Sequence, residues 1–187
     1  SDNLSTIVID SMGIYWSMKR PNERAAGLLE RWDLSPDTYD AKVYIPEGKV
    51  DDFEDREMPY DDTFTLNPGD LTSNEWIMAF RLDRNSEAGV LLERVISELK
   101  DHRDHNFSID DILEVIDQFD FPNEVENRLE NRFLNAKDWG IFGEESSFEK
   151  FTKRGELSVI DSSVFGEMGG GWSVRALVVG LMAKRIL

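Results

Sequence analysis

Two stretches of the chain end alike: "TIVID" at 6 to 10 and "LSVID" at 157 to 161 are both β-rich apolar runs closed by an aspartate. A run without polar alternation suits a strand covered on both faces, the situation of parallel sheets flanked by helices. Parallel neighbours cannot be joined by a tight turn and need long crossovers. Leu4 to Asp10 and Glu156 to Asp161 are therefore expected as buried strands, each carrying its acid to the carboxyl end. "AKVYIP" at 41 to 46, stopped by Pro46, and the short "DTFTLNP" at 62 to 68, closed by an Asn-Pro-Gly turn, read as two more.

Helical patterns fill the intervals. Ala25 to Trp32 follows Pro21 as a short helix, and Thr72 with Glu75 stands in capping-box register before the apolar face of Trp76, Ile77 and Phe80. Ser86 to Lys100 repeats its apolar residues at helical spacing. Ser108, with Asp110 and Asp111 in the first turn, opens the next helix, and Pro122 suits the first turn of the one after. Four helices thus separate the third strand from the fourth. Ser173 is expected to cap a final helix that is still apolar at "MAKRIL", as in the interior of a longer domain, whereas the acid-rich "EGKVDDFEDREMPYDD" at 47 to 62 reads as a surface loop. The expected fold is α/β, a short mostly parallel sheet of about three to four strands flanked by helices, in one domain with residues 73 to 136 as an inserted helical lobe.

Charge narrows the partners. With 38 acids against 21 bases and a net charge of -17, the chain repels nucleic acid and anionic membrane surfaces, and the acidic excess points to a halophilic or archaeal source. No cysteine is present, which excludes disulfides and thiolate chemistry and fits a reducing, cytoplasmic setting. The longest apolar stretch, Ala176 to Ala183, is too short to cross a membrane.

Ligands of open α/β sheets collect beyond the carboxyl ends of the strands, where Asp10 and Asp161 are expected. There each acid can hold magnesium, orient a water, or simply cap the turn that follows. The glycines of "GEMGGGWS" at 166 to 173 lack the lysine and spacing of a nucleotide P-loop and read as a turn before the last helix. His102 and His105 have no third ligand at zinc spacing, and the acids between Asp51 and Asp62 lack the glycine and alternation of an EF-hand. No G-x-S-x-G motif is present, so serine-hydrolase chemistry is not expected. Tyr15, Trp16, Trp32, Trp76, Trp139 and Trp172 are dispersed, as core residues are, and form no base-stacking series.

Four segments, taken in order, resemble the HerA and FtsK group of hexameric DNA-translocating P-loop ATPases, particularly the archaeal HerA-like proteins: "IVIDSMGIYW" at 7 to 16, "FTLNPGDLTSNEW" at 64 to 76, "ENRFLNAKDWGIFG" at 130 to 143 and "RGELSVIDSS" at 154 to 163. The resemblance implies an interior portion of an ATPase domain, with the nucleotide loop before residue 1 and the acidic catalytic strand after residue 187. It also implies ATP and Mg2+ as cofactors of the intact parent, neither held tightly by this portion alone, and DNA, other subunits of a homo-hexamer and a nuclease as the parent's partners. Asp10 matches the family's acid beside the terminal phosphate and its magnesium, and so is the implied catalytic, cofactor and metal residue. Asp161 and Ser162 match the later strand, where Asp161 would border the cofactor and be chiefly structural. The family often reads Gly-Glu-Tyr where this chain has Gly13-Ile14-Tyr15, so that glutamate's role has no counterpart here. Two other readings of the same residues are a non-catalytic interaction module related to such ATPases and a metal-dependent enzyme using Asp10 and Asp161 together.

Overall fold

The computed structural model describes residues 3–103, 106–167 and 171–186. Four strands, β1 (Thr6–Asp10), β2 (Ala41–Pro46), β3 (Asp62–Phe64) and β4 (Leu157–Asp161), form one sheet in the order β1-β4-β2-β3. Every pairing is parallel. The fold is α/β, with the parallel sheet that the two apolar runs require.

The two runs do not share the same surroundings. In β4, held on both edges by β1 and β2, Ser158 to Asp161 are fully buried. β1 pairs with β4 alone, and Ile7, Val8 and Ile9 are only half-buried. The expectation of β1 as a strand covered on both faces is therefore corrected: apolar composition reports a tolerance for burial, while the place in the sheet depends on which strand arrives between the others. Leu4 lies outside the strand, although its carbonyl still accepts the Gly155 N–H at 3.0 Å. The helix expected between β1 and β2 is short, α1 (Ala26–Leu29), with 3-10 turns at Glu23–Ala25 and Glu30–Trp32 on either side.

The acid-rich segment after β2 is also corrected, because it contains a helix, α2 (Val50–Asp55), in the crossover to β3. Phe53 is its anchor at 1% exposure, and Asp51, Asp52, Glu54 and Asp55 face outward. One deeply inserted ring is enough to seat a two-turn helix.

Beyond β3 come α3 (Ser73–Phe80), α4 (Glu87–Arg103), α5 (Ile109–Ile116) and α6 (Asn123–Lys137), which pack on one another. The Thr72–Glu75 capping box forms as expected, and a second joins Ser108 to Asp111, each supplying acceptors to first-turn N–H groups that the helix leaves unpaired. Trp76 and Phe133 lie at the centre of the lobe with ring centroids 5.0 Å apart, and Phe80 and Phe142 complete the cluster. Backbone hydrogen bonds tie the segment that follows the lobe back to the sheet. Leu66, just past β3, bonds to Ile141 and Gly143, and the Gly48 N–H donates to the Gly140 carbonyl at 2.8 Å. That second contact needs glycine twice: Gly140 has a φ of +71°, and a Cβ on Gly48 would sit 2.6 Å from the Gly140 Cα.

The last helix, α7 (Gly171–Ile186), packs against α3. It begins three residues earlier than expected with Ser173 as its cap, so Ser173 lies inside its first turn and accepts from Arg81 Nε at 3.0 Å. Trp76 and Trp139 are core residues as expected, but Trp32 and Trp172 are exposed at 79% and 76% and Tyr15 at 40%. Dispersal along the chain did not distinguish the two groups. No helix among the described residues is long and apolar enough to cross a membrane.

Candidate functional site at the carboxyl ends of β1 and β4

Asp10 and Asp161 are direct partners across the β1–β4 pair. Strand alternation sets Val8 and Asp10 beside Val159 and Asp161 on one face of the sheet. Both acids are buried, Asp10 at 2% and Asp161 at 0% exposure. The sequence pattern thus located two carboxylates that the fold brings together.

Their environments differ. Asp10 Oδ1 accepts the N–H groups of Met12 and Gly13, each at 2.9 Å, and Oδ2 accepts those of Ile14 and Tyr15, each at 2.8 Å. A carboxylate has about four lone-pair positions, and these four bonds fill them. In this arrangement Asp10 winds the chain after β1 into a tight loop running into a 3-10 turn at Tyr15–Lys19. A metal ion could reach either oxygen only in exchange for one of these donors. Gly13 makes the loop possible with a φ of +66°, and a Cβ there would lie 2.6 Å from Ser163 Oγ. The loops following the two strands therefore touch.

Asp161 is less well supplied. Its Oδ1 accepts the Ser163 N–H at 2.8 Å, while Oδ2 is buried without a hydrogen-bond partner. Burial pushes its pKa above the ordinary carboxylate range and the neighbouring Asp10 charge adds to this, against the Ser163 N–H and the Arg175 guanidinium, which favour ionisation. Ser162 is fully buried and donates both its N–H, at 2.8 Å, and its hydroxyl, at 3.2 Å, to the Asp10 carbonyl. Its hydroxyl proton is committed to this structural bond.

Arg175, one turn into α7, closes the arrangement. It donates through Nε to the Ser162 carbonyl at 3.3 Å and through Nη2 to the Ser163 carbonyl at 2.9 Å, with its guanidinium 5.9 Å from the Trp172 ring centre. Sequence reasoning missed this residue. An arginine on a helix is common, and only the return of α7 past the end of β4 makes this one a tie between the two.

The remaining sequence candidates lie elsewhere. His102 is exposed at the end of α4, its Nδ1 2.9 Å from the Glu98 carbonyl, whereas His105 and the glycines at 169 and 170 lie outside the described residues. Among the described residues no three acids or histidines gather as a metal cluster. Arg103 pairs with Asp111, the third helical residue of α5 and the partner of Ser108 in its capping box. No family model matches the sequence, and no curated protein matches it.

Proposed function

We propose that this chain is part of the ATPase domain of a DNA translocase or helicase of the HerA and FtsK type. One observation carries the proposal: two aspartates stand in register at the carboxyl ends of adjacent strands of an all-parallel sheet, with the loop after each packed on the other. That is where open α/β sheets take their ligands. The order of the four resembling segments agrees with it.

In this proposal ATP and Mg2+ are bound by the intact parent, whose phosphate-holding groups come from outside these residues. Phosphoryl transfer is mostly positioning and charge stabilisation, so an aspartate without a phosphate cradle is inactive. The filled acceptors of Asp10 do not fit direct magnesium ligation, and its contribution is the shape of loop 11–15. Asp161, with its free Oδ2, is the carboxylate able to take another donor. The net charge of -17 assigns DNA contacts to other parts of the parent. A cytoplasmic homo-hexamer of archaeal origin, with a nuclease partner, belongs to the same reading.

The non-catalytic interaction module is favoured by the saturation of Asp10 alone, since a carboxylate filled by four N–H groups is the mark of a structural cap. DNA-stimulated ATP hydrolysis by the full polypeptide that contains this chain separates the two. The ATPase reading expects turnover that falls at least about tenfold in Asp10→Ala while the fold is retained, and no turnover from residues 1 to 187 alone. Absence of turnover from the full polypeptide favours the interaction module.

A further inference from the structure

Helix α7 packs on α3, and the seam between them stays open toward solvent. A groove of about 380 Å³ runs along it, walled by Met78 and Ala79 of α3 and by Trp172, Ala176, Leu177 and Gly180 of α7. From Ser173 to Leu181 the seam is about 12 Å long. At one end it adjoins a second cavity of about 220 Å³, lined by Arg132, Asn135 and Trp139, and the two share Ala79, Arg81 and Ser173 as walls.

Two residues of this groove stand against local preference. Gly180 lies inside a 16-residue helix, where only proline is a poorer helix former, and packing does not demand it, since a Cβ there would meet no atom within 4 Å. Its missing side chain leaves the groove open. Arg81 ends α3 with a φ of 52°, in the left-handed region that favours glycine. Glycine where a side chain would fit, and arginine where glycine would fit, line one cavity.

Charge states what the groove can take. In a chain with 38 acids, neither Arg81 nor Arg132 pairs with a carboxylate among the described residues. Arg81 donates to the Ser173 hydroxyl and Arg132 to the Phe80 carbonyl, both neutral acceptors. A guanidinium carries five N–H donors, so both keep donors for an anion. At the far end of the groove Glu75 is already taken, by Lys184 at 3.0 Å and by its own capping box. The groove is therefore apolar along its length and cationic at one end, and guanidinium forks match carboxylate geometry.

We propose that this groove binds a small amphiphile, an apolar chain with a carboxylate head, its chain lying along α7 over Ala176 and Gly180 and its head held by Arg81 and Arg132. The combined cavity falls within the range of about 300–1,000 Å³ usual for small-molecule sites. It shares no residue with the Asp10 and Asp161 site and stands whether or not the chain serves an ATPase.

Calorimetric titration of residues 1 to 187 with decanoate tests it. One decanoate is expected to bind per chain, below the concentration at which decanoate self-associates. Decanol, the same chain without the charge, binds at least about tenfold more weakly, as expected for lost hydrogen bonds to a charged group. Arg81→Gln with Arg132→Gln weakens decanoate by a similar factor and leaves decanol unaffected, which shows that the groove is intact. Gly180→Leu fills the groove and abolishes binding of both, while its thermal transition holds or rises. Absence of saturable decanoate binding overturns the proposal, as does binding indifferent to the double glutamine variant or to Gly180→Leu. A dimer that Gly180→Leu dissociates in sedimentation, in a chain that ignores decanoate, would mean that a second copy covers the groove, and the proposal fails.

Discussion

Residues 3–40 and residues 41–186 are two kinds of protein in one chain. Among the described residues, the first stretch holds one buried residue, Asp10, whereas the second contains every buried hydrophobic side chain, from Ala41 to Met182. The body coheres by apolar burial, which is non-directional and grows with area. The N-terminal stretch coheres by directed bonds: Asp10 to four amides, Lys19 to Asp61, and Tyr39 to Met18. Surface held this way keeps its local order without burying its apolar side chains.

The largest test of this contrast is Phe133→Ala. Its ring lies at 0% exposure among Trp76 and Phe80, and the substitution is expected to lower stability by about 3–5 kcal/mol, read as a fall in the urea midpoint. A loss under about 1 kcal/mol would mean that the lobe tolerates a cavity and that the body is less tightly built than its burial implies.

Asp10→Ala comes next. It leaves four backbone donors without their acceptor, at a cost of about 2 kcal/mol, and the amides of residues 12 to 15 should exchange with solvent faster while those of the lobe do not. Uniform loss of protection throughout the chain would erase the boundary between the two regions.

Asp161→Asn gives the smallest effect and sharpens the boundary itself, because β4 belongs to the body and Asp161 faces Asp10 across it. A carboxyl whose pKa is higher in the folded than in the unfolded chain stabilises most below its unfolded value, about 3.9, and loses that contribution as pH rises through the folded value. The raised Asp161 pKa therefore predicts that the asparagine variant gains stability relative to the natural protein as pH rises above the ordinary carboxylate range. The amide oxygen introduced by the substitution can accept the Ser163 N–H as the carboxylate does, so that bond is kept. Parallel pH–stability curves for the two proteins would show that Asp161 ionises as freely when folded as when unfolded.

Much of this was readable from residue order. The two VID runs announced a parallel sheet and placed an acid at each tip, and the Thr72–Glu75 pair marked the start of α3 to the residue. These are local signals, since a capping box needs four residues and an apolar strand needs five. The candidate site was half legible. Asp10 and Asp161 were found, but the task of each was not, because whether an oxygen meets a metal or a backbone N–H depends on how the next five residues turn. Arg175 was invisible, since the carbonyls it ties lie 13 and 12 residues earlier and become its neighbours only when α7 returns along the sheet.

Sequence by itself determined the strands, the helices of the lobe, the parallel sheet and the two strand-end acids, because periodicity, capping and β-branching act within a few residues. Tertiary structure alone decided that β4 is central and β1 an edge, that Phe53 buries a segment otherwise written in acids, and that Trp76 is sealed while Trp32 is bare. The reason is physical: burial and pairing are relations between distant segments, and an isolated tryptophan or isoleucine carries the same preference for leaving water wherever the chain happens to set it.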